Sequence, residues 1–133
     1  MTFNKKVLIL GRPWLIKICT EKEESRLKER SGFADWTSRL IAISDPDDHK
    51  ECDLDNVLEF LKKVARHEII HAFMFGSGLA EEWKHDTWGQ EETLVDWLAF
   101  QLPAICDVVD TVEKALEEAF NGGDTSGQSA PQN

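Results

Sequence analysis

The sequence predicts an α+β fold: a small three-stranded sheet packed on a central helix, then a second helix able to carry ligands and a C-terminal helix. Three observations predict it. Short β-branched and aromatic runs are confined to the first third of the chain. One apolar stripe at 3.6-residue spacing runs over 54–75. Two further amphipathic segments follow, separated by Pro103.

The first strand is read at Val7-Leu8-Ile9-Leu10 and the second at Trp14 to Cys19, with Gly11-Arg12-Pro13 breaking between them. That pattern predicts a hairpin, with Trp14, Ile16 and Ile18 on one face and Lys17 on the other. The charged stretch 21–30 reads as a loop or a short surface helix, a solvated connector. Gly32 and Asp35 read as a turn, and Leu40 to Ile43 as the third strand. The Asp45-Pro46-Asp47-Asp48-His49 cluster stops it as ordinary turn chemistry.

Asp53 or Asp55 can cap the central helix, and Gly76-Ser77-Gly78 ends it, as glycine does at a helix C-terminus. Leu54, Val57, Leu58, Leu61, Val64, Ala65, Glu68, Ala72 and Phe75 form its inner stripe, and Ile69, Ile70 and Phe73 make other sides apolar, so it reads as largely enclosed. Residues 79–90, with Trp83, His85 and Trp88, read as an ordered loop. The helical pattern returns from Glu91 with Leu94, Val95, Trp97, Leu98, Ala99 and Leu102, and Pro103 breaks or kinks it. A last helix over 105–120 turns Val108, Val109, Val112, Leu116 and Phe120 inward. Residues 1–120 make one domain, and the Gly/Ser/Gln/Pro-rich tail 121–133 reads as disordered.

Composition narrows the function. The 133 residues carry 15 Lys and Arg against 25 Asp and Glu, a formal charge of −10. Such a balance excludes a general nucleic-acid binder, which needs clustered cations, and fits a solvated acidic surface. The acidic residues are scattered rather than laid out as a nucleic-acid mimic. Cys19, Cys52 and Cys106 form no C-x-x-C pair, so neither a disulfide framework nor a cysteine-built zinc knuckle is expected. With no signal segment and no membrane-length apolar run, the expectation is a cytoplasmic, unanchored chain.

The chemistry concentrates at His67-Glu68-Ile69-Ile70-His71. On a helix, positions four apart share a face, so His67 and His71 can hold one metal ion between them. Glu68 follows the first ligand and can take the proton from a metal-bound water. Two neutral imidazoles and a carboxylate base are what a zinc hydrolase needs. A charged Glu68 on an inner stripe is costly unless something answers it. The alternative is two helix histidines satisfied by hydrogen bonds. A third ligand is sought among His85, Glu81, Glu82, Glu91 and Glu92. Glu92 sits one helical turn before Asp96, so the two share a face, and Asp96 could orient a ligating imidazole through its outer nitrogen.

His67-Glu68-Ile69-Ile70-His71 followed by Glu92-Thr93-Leu94-Val95-Asp96 resembles the gluzincin arrangement, and the small size resembles the ImmA/IrrE-type metallopeptidases, with a likeness to small phage-encoded H-E-x-x-H proteins. The resemblance covers roughly 33–103 and is carried by the two helices. It implies a minimal zincin-like domain with His67, His71 and Glu92 as Zn2+ ligands, Glu68 as general base and Asp96 supporting a ligand. Zinc would polarise the scissile carbonyl while Glu68 moves the proton to the leaving amine. His85 is the one candidate in the linking loop for stabilising the oxyanion; its other reading is a partly exposed loop histidine. The resemblance also implies that the strand at 39–44 is the sheet edge joined by the peptide. The expected partner is a protein or peptide substrate, with neither nucleic acid nor membrane. Two readings compete with a specific zinc metallopeptidase. One is a phage or mobile-element protein that keeps the zinc-binding fold and acts by binding a protein partner; the other is a closed structural site completed by His85 or Glu91.

Overall fold

A computed structural model describes residues 2–48, 54–82 and 92–122. The sheet has four strands, not three: β1 (Phe3–Ile9), β2 (Arg12–Cys19), β3 (Gly32–Asp35) and β4 (Leu40–Ser44), in the order β1-β2-β4-β3. β1 and β2 form the expected antiparallel hairpin, with Val7 opposite Trp14. Its two-residue turn puts Leu10 and Gly11 at φ 52° and 78°, the doubly left-handed geometry that suits the twist of flanking strands. The first strand is longer than its apolar run because Phe3, Val7 and Ile9 bury one face while polar residues alternate with them. Pro13 is tolerated inside β2 because β4 pairs only with Leu15 to Cys19, beyond the missing N–H.

The extra strand, β3, lies where the sequence suggested a turn. Its four residues, Gly-Phe-Ala-Asp, are bounded by turn formers and offer one strong β-former, Phe33. Tertiary packing decides the outcome. Phe33 is buried with Cys19, Leu27 and Ala42 on the sheet face away from the central helix, beneath the Arg26 guanidinium, which sits 4.4 Å from the ring centroid. Asp35 then closes the strand by accepting from the Thr37 amide at 3.0 Å and hydroxyl at 2.6 Å and from Arg26 at 2.7 Å. Those donors, the Thr37 hydroxyl first, hold the Asp35 carboxyl well below the usual range. The stretch before β3 contains a short 3-10 turn, Ser25–Leu27, within the connector.

Helix α1 (Val57–Gly76) is capped by Asn56, whose side chain accepts from the Glu59 amide at 3.2 Å. Asn56 takes the role offered to Asp53 or Asp55 because it directly precedes the first helical apolar residue. Asp53 lies outside the described residues, and Leu54 is exposed ahead of the helix. Leu61, Ala65, Ile69, Ala72 and Phe73 are fully buried against Ile16, Ile41 and Ile43 of the sheet. The helix is not enclosed all round: His67, Ile70 and His71 are exposed. A short helix, α2 (Leu79–Glu82), follows, and residues 83–91 lie outside the described set.

The two helices expected around Pro103 are one, α3 (Glu92–Gly122), with Pro103 inside it. Ile105, Val108, Val112 and Leu116 make one stripe at helical spacing into the core, and Pro103 lies on the exposed side. α3 runs antiparallel to α1: Trp97 Nε1 donates to Ser77 Oγ at 2.9 Å, Arg66 pairs with Glu113 at 3.0 Å, and Lys62 with Glu117 at 3.3 Å. α3 also packs on β1, the sheet edge remote from β3. Of the expected tail 121–133, Asn121 and Gly122 instead end α3, and residues from 123 onward lie outside the described residues. Among the described residues no helix is long and apolar enough to cross a membrane.

Pro103 removes one helical N–H and crowds the carbonyl four residues earlier. Pro103→Ala should therefore raise the unfolding free energy, by about 1–3 kcal/mol. A urea titration in which the midpoint does not rise would show that α3 has adapted around the proline.

Candidate metal centre

α1 lies on the sheet through the residues flanking Leu61, Ala65 and Ala72. At 100° per residue, positions 67 and 71 fall within about 40° of each other on one flank of that contact, while 62, 66 and 77 fall on the other. The histidines thus open beside β3, and α3 covers the opposite flank. Their Nε2 atoms stand 3.2 Å apart, with ring centroids 4.8 Å apart and planes at 66°. Two imidazole nitrogens on a tetrahedral zinc, each at about 2.0–2.1 Å, are separated by about 3.3 Å. The same 3.2 Å also suits one hydrogen bond, with a ring proton on either nitrogen.

Glu68 completes the group: one ligand atom from each of His67, Glu68 and His71 lies within 4.8 Å of the others. Only 6% of Glu68 is exposed, and burial raises its carboxyl above the ordinary 4.5, while the charges of His67 and Arg30 pull it back. His71 keeps solvent access, but partial desolvation, aided by the charge of His67, lowers its pKa below the ordinary 6.5. That keeps the imidazole neutral near pH 7, the form that ligates a metal. Phe75 continues the same flank, its ring 6.5 Å from that of His71.

β3 forms the wall against Glu68. A Cβ on Gly32 would stand 2.9 Å from the Ala42 carbonyl oxygen, 3.0 Å from Val64 Cγ1 and 3.3 Å from Glu68 Cγ. The glycine lets the strand approach the helix at the residue whose position matters most. Beside it opens a groove of about 290 Å³ lined by Arg30, Ser31, Gly32, Lys63, Val64, His67 and Glu68. Arg30, Gly32 and Lys63 were not singled out by the sequence reading. A Gly next to a β-former was the available signal, since glycine inside a strand marks close approach of another element.

The remaining sequence-derived residues are placed less fully. Glu92 is the first residue of α3 and Asp96 lies one turn on; their side chains lie outside the described set. Among the described residues the structure brings together His67, Glu68 and His71. Glu81 is exposed on α2, and His49, His85 and Glu91 lie outside the described residues. The strand at Leu40–Ser44 is not the sheet edge: β2 and β3 flank it, and β3 is the edge beside the histidines. It is internal because the connector ahead of it folds back to form β3. Comparison with protein-family models, curated proteins and solved structures finds no match.

Two outcomes follow from this geometry. Gly32→Ala should destabilise the chain by about 1–3 kcal/mol, because backbone on one side and α1 on the other leave the methyl nowhere to go. An unchanged melting temperature would mean that β3 and α1 are not so closely apposed. For Glu68 the sign is set by the raised pKa: its charged form is disfavoured by folding above the ordinary 4.5 and the cost vanishes below it. Metal-free Glu68→Gln should therefore be more stable than the unaltered chain at pH 7.5, with the gap closing at pH 4. Urea unfolding at both values checks this, and a pH-independent gap would assign the effect to packing instead of charge.

Proposed function

We propose that the chain is a zinc-dependent metallopeptidase with a minimal zincin-like fold of the gluzincin, ImmA/IrrE-like kind, hydrolysing a peptide bond in a specific protein substrate. The observation that carries the reading is the 3.2 Å spacing of His67 and His71 Nε2 with a buried carboxylate, Glu68, beside them. A packing role explains two histidines on one flank, but not a desolvated glutamate facing a groove next to them.

In this reading His67 and His71 would hold the zinc, Glu92 would be the third ligand, and Asp96 would orient a ligating imidazole through its outer nitrogen. Zinc supplies Lewis acidity, activating water and polarising the carbonyl. Glu68 removes the proton from the attacking water and delivers it to the leaving amine. Its raised pKa brings it nearer the operating pH, where a group can serve both as base and as acid. β3 is the edge strand of the sheet among the described residues, the position an extended peptide would join as an added strand. His85 remains the candidate for stabilising the oxyanion.

The competing reading is an interaction protein that keeps the metal pair and acts by binding a partner. Elemental analysis separates the readings at their root: about one zinc per chain is expected, falling strongly in His67→Ala and His71→Ala, and more in Glu92→Gln than in Glu91→Gln. Glu68→Gln should keep its zinc and lose peptide hydrolysis by at least about a hundredfold. Biological activity that survives that substitution would support the binding protein, and absence of zinc from every variant refolded with the metal would end both readings.

A further inference from the structure

The groove beside His67 and Glu68 is positively charged in a strongly acidic chain. Two cations line it, Arg30 from the segment entering β3 and Lys63 one helical turn before His67. Of the other cations of these segments, Arg26 pairs with Glu24 and Asp35, Lys62 with Glu59 and Glu117, and Arg66 with Glu113, while Lys28 is exposed and, like Arg30 and Lys63, forms no ion pair among the described residues. Among the described residues Glu68 is the one carboxylate lining the groove, and His67 and Arg30 answer its charge, leaving Lys63 as surplus positive charge. At about 290 Å³ the space suits a single side chain or chain end.

We propose that this groove takes a carboxylate of the bound peptide, with Arg30 and Lys63 as its counter-charges, so that the substrate is acidic next to the bond that is cut. The identification of the ligand as a peptide rests on the peptidase reading. Charge selects for it twice. The chain's formal −10 repels acidic peptides from most of the surface, and the groove offers two flexible donors where a carboxylate can accept charge-assisted hydrogen bonds. Such a carboxylate can belong to an Asp or Glu side chain or to the free end of the chain, the first giving an endopeptidase and the second a carboxypeptidase.

The test uses three randomised hexapeptide mixtures: one with Glu fixed at a central position and both ends capped, one with Gln in its place, and the Gln mixture with a free C-terminal carboxylate. Each is titrated into the metal-free full chain at about 0.1 M salt, with the Gly32 and Val64 amide signals as reporters. The capped Glu mixture should bind about fivefold more tightly than the capped Gln mixture, the scale of two solvent-exposed charge pairs. Arg30→Gln with Lys63→Gln should erase that preference, while Lys22→Gln with Lys114→Gln, the same charge change on exposed sites elsewhere, should leave it. If the free-ended Gln mixture alone gains, the carboxylate recognised is the terminal one. Equal affinities for all three, no binding, or a preference that survives Arg30→Gln with Lys63→Gln would overturn the proposal. Mass spectrometry of the same mixtures with the zinc-loaded chain reads the peptidase separately. A carboxylate preference without cleavage would remove the catalytic reading and leave an acidic-peptide binding groove.

Discussion

The close approach of β3 to α1 at Gly32 is the constraint on which the site depends. A strand normally keeps its neighbours away by its side chains; here the missing Cβ lets backbone meet Val64 and Glu68 directly. Glu68 is buried as a result, and among the described residues no further strand pairs with the other edge of β3. Burial, orientation and access therefore share one cause. Phe33, one residue on, anchors the strand from the other sheet face, so the approach is held from both sides.

Electrostatics follow from that packing. Taking a carboxylate out of water is unfavourable, and nothing in the apolar core compensates it. The compensation comes from the flank: His67 and then Arg30. In a chain with ten more acidic than basic side chains, Arg30 and Lys63 nonetheless stand together at this groove. The low pKa of His71 belongs to the same arrangement, since a protonated imidazole beside His67 would add repulsion where the two nitrogens converge.

The α+β class, the hairpin, the reach of α1 and the convergence of His67, Glu68 and His71 were legible in the sequence because each depends on local periodicity. Helical spacing alone places residues 67 and 71 on one face. β3 was not legible, since Gly-Phe-Ala-Asp has weak strand propensity and is held by Leu27, Cys19 and Ala42, distant in sequence. Pro103 misled for the converse reason: a local helix breaker lost to a stripe of Ile105, Val108, Val112 and Leu116 that needs the helix to continue. The groove cations fell outside any periodic pattern, because Arg30 reaches the site from a connector.

The position of α3 bears on how the metal site is completed. Trp97 on Ser77, Glu113 on Arg66 and Glu117 on Lys62 seat α3 along the flank of α1 that faces β1. Most of α3 is thus a structural wall, shielding the sheet edge opposite the histidines. The described lining of the groove adds no imidazole beyond His67 and no carboxylate beyond Glu68. For the proposed zinc site, the sequence concentrates its candidates for a third donor in the stretch after Ser77: Glu81, Glu82, His85, Glu91 and Glu92. Helix α3 is fixed at Trp97, so Glu92 and Asp96 both precede its first described cross-helix anchor. On that proposal, completing the site depends on the approach of that stretch to the histidines, whereas the pair itself is set by α1 alone.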